Sequence, residues 1–439
     1  LPIGATVLSR YEVGFARTNR QVFNFNPTST TLTFNIAYSK PQTVSKGWLN
    51  YLNVNYRSRL NLSLDQLIFR DTRSIGPNEV GLFVIGSSGA KQPRVWDLSD
   101  PYNIVEKTLT KQGNQYSFIS NTDELKEFAA FKEADTLGVT PIGRVANQNL
   151  HGLAAADLLI ITHPLFMNQA LEIQDLHENR GLNVHLVTPQ QIYNEFSSGA
   201  PDIIAMRSFI KMFYDRANND AEMPKYVLLI GDASYDLKDR INGNTNFVLG
   251  YQSPNSLEPT ASYISDDFIA LLDDNEGEWK SNTSNPDKMD VGVGRLPVKT
   301  TSEAKAVVNK IRRYLQTNTQ GDWRNEIVFV ADDEDAGIHL GQADDLARTV
   351  GVEGPAYNVT KIYLDAFQQV STSAGQRYPE VNNRITQAVE SGSLILNYTG
   401  HGGETGWAGE RVLDISTINS WNNINNMPLF VTATCEFSR

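Results

Sequence analysis

The chain has one cysteine in 439 residues, Cys435. A lone thiol permits no internal disulfide, which excludes a small disulfide-stapled fold without fixing the redox compartment. No apolar run reaches the roughly 18 residues of a membrane-crossing helix, and the longest runs are strand-length. A basic stripe is also missing. Lys and Arg number 38 against 50 Asp and Glu, the net charge is −12, and the cations are scattered, which argues against nucleic acid as a partner. The chain opens Leu1-Pro2-Ile3-Gly4 with no basic-then-apolar leader. It therefore reads as a piece of a longer precursor whose signal peptide lies outside this segment.

Apolar content of 40% and charged content of 20% are those of a folded globular protein, and the length allows two or three domains. Residues 1–145 read as an all-β, sandwich-like domain. Strand candidates are Tyr11 to Phe15, Thr31 to Tyr38, Trp48 to Tyr56, Leu67 to Arg70, Val80 to Ile85, Arg94 to Leu98 and Tyr116 to Ile119. Leu52, Val54 and Tyr56 alternate with Asn53 and Asn55, the period of a half-buried strand.

Residues 155–439 change character. Apolar strands at Asp157 to Thr162, Asn183 to Val187, Lys225 to Ile230, Phe268 to Leu272, Asp290 to Val293, Glu326 to Ala331, Lys361 to Leu364, Leu394 to Tyr398 and Leu429 to Ala433 alternate with helices. The helices are expected over Asn168 to Arg180, Ile203 to Tyr214, Ser302 to Leu315 (capped by Ser302) and Pro379 to Glu390. This pattern predicts a mostly parallel sheet in a three-layer α/β/α domain. The polar stretch from Asn275 to Pro286 reads as an exposed insertion.

Parallel sheets carry their functional loops at the carboxyl ends of their strands. Two such ends carry reactive side chains: Leu394 to Tyr398 delivers His401-Gly402, and Leu429 to Ala433 delivers Cys435. An imidazole titrates near working pH and suits a general base for a thiol that is mostly protonated at neutral pH. Gly400, Gly402 and Gly403 allow close backbone approach, and the N–H groups of Gly402 and Cys435 could hold a developing oxyanion. A single strand-end cysteine is more often a small buried apolar residue, so the weight rests on the joint pattern. The remaining His151, His163, His177, His185 and His339 are dispersed along the sequence, with no metal cluster among them.

The segment Leu396-Asn397-Tyr398-Thr399-Gly400-His401-Gly402-Gly403-Glu404-Thr405-Gly406-Trp407 resembles the catalytic histidine segment of the gingipain family of cysteine peptidases. Tyr226 to Asp232, Ser265-Asp266-Asp267 and Asp290 to Arg295 match as well. The resemblance covers roughly residues 155–439 and implies a caspase-like fold with Cys435 as nucleophile and His401 as its partner. It further implies Asp290 as the carboxylate that orients His401, with Glu404 as an alternative. Glu404, Trp407, Asp232 and Asp267 would line the cleft. Asp232, Asp266 and Asp267 could equally bind calcium or cap turns; no cofactor is required, and a structural calcium is the one metal the family suggests. Arginine-specific members carry an acidic specificity residue where this chain has Pro297 to Ser302, with Glu303 the nearest acid, so strict arginine specificity is not expected.

Arg94 to Pro101 resembles a segment ahead of the catalytic domain in the sortase branch of that family, which serves bacterial type IX secretion. That resemblance implies a cell-surface, outer-membrane-associated endopeptidase and transpeptidase. It would cut sorting domains from the C-termini of protein cargo and pass the acyl group to a lipopolysaccharide amine or to water, beside an outer-membrane β-barrel partner. A secreted broad protease and a non-catalytic scaffold are the alternatives. Only Glu436 to Arg439 follow the cysteine, so the domain reads as truncated on its C-terminal side, with the remainder of the polypeptide as a further partner.

Overall fold

A computed structural model describes residues 18–435 apart from 30, 41, 65, 89–90, 133–137, 139, 142, 254–261, 278–286 and 374, together with residue 437. Two compact units emerge, one of Val22–Ala146 and one of Asn147–Arg439 together with Leu1–Gln21.

The first unit is built on two antiparallel sheets. One orders its strands Gln66–Arg70, Glu127–Phe131, Arg94–Asp97, Val105–Glu106; the other orders Val80–Gly86, Gln115–Asn121, Thr110–Gln112. Alternation along each strand turns Phe69 and Phe128 of one sheet against Phe83 and Phe118 of the other. Their ring centroids lie 4.9–6.5 Å apart, within or close to the range of favourable aromatic contact. Residues 31–38 and 48–56, expected as strands, are irregular, and Trp48 and Tyr56 stand exposed. An alternating pattern forms a strand only where a neighbour accepts its backbone hydrogen bonds, and no ladder partner exists for them among the described residues. The expected strand from Tyr11 to Phe15 lies outside the described residues.

The second unit contains two parallel four-stranded sheets rather than one continuous one. The first orders Gly292–Leu296, Tyr226–Ile230, Leu158–Thr162, Val184–Val187; the second orders Asn358–Tyr363, Glu326–Ala331, Ile395–Thr399, Leu429–Ala433. Helices Met167–Glu178, Ile203–Arg216, Thr301–Tyr314, Ile338–Glu353 and Pro379–Ser391 connect them. The helix expected to start on Ser302 is capped instead by Thr300, whose hydroxyl accepts the Glu303 N–H. Phe268 to Leu272, expected as a strand, forms a 3-10 turn over Asp267–Ala270. Its run of buried apolar residues is too short for periodicity to separate the two states. Most of the polar stretch from Asn275 to Pro286 lies outside the described residues.

Arg295 joins the three segments Tyr226 to Asp232, Ser265 to Asp267 and Asp290 to Arg295. Its guanidinium pairs with Asp266 through Nε and a terminal nitrogen, each at 2.7 Å, and donates to the carbonyls of Gly231, Val248 and Leu249. In this geometry Asp266 is a structural partner of a buried cation.

Candidate active site

The site forms at the carboxyl edge of the second sheet. Ile395–Thr399 pairs in parallel with Leu429–Ala433 on one side and with Glu326–Ala331 on the other, so Thr399 stands opposite both Ala433 and Ala331. His401 and Cys435 each follow their member of the Thr399–Ala433 pair by two residues. Neighbouring strands lie about 4.8 Å apart, so the imidazole and the thiol leave the sheet at one level on adjacent strands. Cys435 is exposed and His401 half-buried.

Several backbone hydrogen bonds hold the histidine loop. Gly400 N–H donates to the Ala433 carbonyl at 3.2 Å, tying the loop to the cysteine strand. His401 N–H donates to Asp332 Oδ2 at 2.8 Å, and the His401 carbonyl accepts from Tyr398 Oη at 2.6 Å and Ala408 N at 2.8 Å. A side chain at Gly402 would force its neighbours to move, for a Cβ would sit 2.3 Å from Thr434 Oγ1 and 3.1 Å from the Cys435 carbonyl oxygen. The two loops therefore lie close together at Gly402, against the Thr434 side chain and the Cys435 carbonyl.

Four consecutive acids, Asp332 to Asp335, end the central strand Glu326–Ala331 at the same edge. The carboxylate on the His401 ring is Asp335, with Oδ2 2.9 Å from Nε2, and Glu334 Oε2 stands 3.7 Å away. Asp335 and Ala336 hold φ of +59° and +54°, a left-handed backbone that is costly for residues with a Cβ and is typical of functional sites. Asp332 is fully buried and accepts N–H groups on both oxygens, from Asp333 and from His401. Burial pushes its carboxyl above the ordinary range against those two bonds. Burial, with Asp333 and Asp332 nearby, does the same to Glu410.

Asp290 does not reach the histidine. It precedes Gly292–Leu296 of the other sheet, at the amino edge, and its Oδ2 accepts the Leu272 N–H at 2.8 Å. A residue before a parallel strand lies at the edge opposite the functional loops. Asp290 instead clusters with Asp273 and Glu276, each offering an oxygen within 4.8 Å of the others, and Glu276 Oε2 is buried with no partner among the described residues. Hard oxygen donors of this kind suit calcium.

Trp407, expected in the cleft, is fully buried and stacks on Tyr398 with centroids 4.3 Å apart, so it is core beneath the histidine loop. Glu404 is exposed at the turn of the small hairpin that follows His401. Asp232 lies at the carboxyl edge of the first sheet, where Thr245 Oγ1 donates to it at 2.6 Å and Lys299 Nζ stands at 3.5 Å. Asp267 is exposed and opens the 3-10 turn. The histidines are not all dispersed in space, for His339 packs edge-on against His401 with centroids 5.1 Å apart. The acids at Asp332 to Asp335 could have been found by the rule that found His401, since they too follow a buried apolar strand.

A profile of peptidase family C25 matches residues 151–439. An uncharacterized protein from Archaeoglobus fulgidus is 24% identical over 264 residues, covering 57% of this chain and 58% of that protein. The crystal structure of dimeric latent PorU from Porphyromonas gingivalis is similar at 28% identity and a TM-score of 0.53, over 60% of this chain and 26% of that one. The Arg-specific cysteine proteinase gingipain R (RgpB) is 17% identical with a TM-score of 0.46, over 63% of this chain and 54% of that one. This chain thus spans little more than half of its archaeal relative and about a quarter of PorU.

Proposed function

Because the chain belongs to peptidase family C25, we propose that it is a cysteine endopeptidase whose nucleophile is Cys435 and whose general acid and base is His401. The observation that carries this reading is the shared register of the two residues past Thr399 and Ala433. His401 takes the Cys435 thiol proton as Sγ attacks the scissile carbonyl, the C–N bond breaks to leave a thioester, and His401 gives that proton to the leaving amine. An amine or a water then takes the acyl group and the thiol is restored. Asp335 orients the imidazole and stabilises its charged form.

The likeness to PorU supports a narrower role as a cell-surface sortase of type IX secretion. In that role the substrate is exported protein carrying a C-terminal sorting domain. The acceptor is a lipopolysaccharide amine, and an outer-membrane β-barrel and the rest of the polypeptide complete the assembly. The calcium suggested by the family would be held by Asp273, Glu276 and Asp290, away from the chemistry.

The test is cargo processing in cells carrying Cys435→Ala in the full-length protein. Cargo should keep its sorting domain and fail to anchor. Normal trimming overturns the reading. Loss of general peptide hydrolysis with anchoring intact favours a secreted broad protease.

A further inference from the structure

We propose that Asp335, His339 and His401 form a binding site for a zinc-type divalent ion that shares the catalytic imidazole, so that metal occupancy holds the peptidase inactive. Nε2 of His401 and Nε2 of His339 approach the same carboxylate oxygen, Asp335 Oδ2, at 2.9 and 3.3 Å. One ligand atom from each of the three residues lies within 4.8 Å of the others. Ligands of a tetrahedral zinc at about 2.0–2.1 Å stand about 3.3 Å apart, so the spacing needs little change.

Two imidazoles and one carboxylate, with a fourth position left for water, form a borderline-soft set that favours zinc over calcium or magnesium. Asp335 lies in the left-handed turn that precedes helix Ile338–Glu353 and His339 in the helix's first turn, and this turn brings the Asp335 carboxylate to the His339 ring. His339 supplies a second observation. Both of its ring nitrogens are shielded from solvent, and neither makes a hydrogen bond among the described residues. Its Nε2 stands 3.3 Å from Asp335 Oδ2. A shielded imidazole of this kind gains a partner when it ligates a metal.

Metal on Nε2 of His401 fixes the ring and prevents it from becoming the imidazolium that protonates a leaving amine. The metal site stands on its own geometry, whereas the inhibitory consequence rests on the peptidase reading.

Metal-stripped full chain is titrated with Zn2+ in competition with a chromophoric chelator, alongside His339→Ala, Asp335→Asn and Cys435→Ala. One equivalent should bind to the wild type, with affinity at least about tenfold weaker in the first two variants and retained in Cys435→Ala. Asp335 is half-exposed, so its variant reports even where His339→Ala folds poorly. Equal binding by the wild type and both site variants overturns the proposal, as does binding that disappears only with Cys435. Zinc should also suppress peptide hydrolysis with the midpoint of the binding curve. Hydrolysis that stays intact at saturating zinc overturns the inhibitory consequence, and no hydrolysis even in chelator counts against the peptidase reading while leaving the bound metal to be scored separately.

Discussion

Thr399 and Ala433 face each other across two parallel strands, and His401 and Cys435 follow them at equal distance. Sheet register alone thus delivers two residues far apart in sequence to the same edge of adjacent strands. A slip of one residue would turn each side chain of the sliding strand to the other face.

That packing makes Gly402 and Gly403 a discriminating pair. Gly402→Ala places a Cβ 2.3 Å from Thr434 Oγ1, while the same change at Gly403 meets nothing within 4 Å. Gly402→Ala should lower kcat/KM by more than about tenfold, since small displacements near reacting atoms are costly. Gly403→Ala should keep near-normal activity. Peptide kinetics on both variants check this, and equal effects would disprove the close approach.

Asp335 and Asp290 exchange expected roles. Asp335→Asn should lower kcat/KM by about tenfold, or ~1.4 kcal/mol of transition-state stabilisation, a modest effect because the carboxylate is half-exposed. Asp290→Asn should leave kcat/KM unchanged, because its carboxylate holds the Leu272 N–H. The opposite ranking would restore Asp290 as the orienting acid.

Asp332→Asn tests the anchor under the histidine loop. The carboxylate accepts one N–H on each oxygen. An amide offers one acceptor and turns its NH2 toward the other N–H, despite relieving a charge that burial disfavours. The variant should lose about 1–3 kcal/mol of stability, the cost of an unsatisfied buried donor, together with activity. Denaturant unfolding paired with kinetics checks it, and a more stable, fully active variant would contradict the anchoring role.

Glu195 gives the start of the second unit an expected sensitivity to acid. Burial opposes its charge, but N–H donation from Leu150 and His151 and the Gln148 amide outweigh it and bring its carboxyl down to about 2. An unfolded glutamate titrates near 4.3. The folded value is depressed, so the stabilisation is complete above about 4.3 and is lost as pH falls toward 2. Wild type should therefore lose more stability between pH 7 and 3 than Glu195→Gln. Melting curves of both proteins at the two pH values check it, and equal losses would exclude Glu195 as the cause.

The sequence by itself determined the two reactive strand ends, because a buried parallel strand writes itself as an apolar run and its functional residue must follow that run. It also marked the strands that carry Phe69, Phe83 and Phe118 in the first unit and missed Glu127–Phe131, which carries Phe128. Only the tertiary structure decided which carboxylate serves His401. Asp290 carries the family resemblance but sits at the amino edge of another sheet, while Asp335 arrives from the carboxyl end of the neighbouring strand. Tertiary structure also brought His339 onto His401 and sank Trp407 into the core. These relationships depend on strand order and on which edge a residue occupies, and parallel pairing joins segments whose separation along the chain carries no record of either.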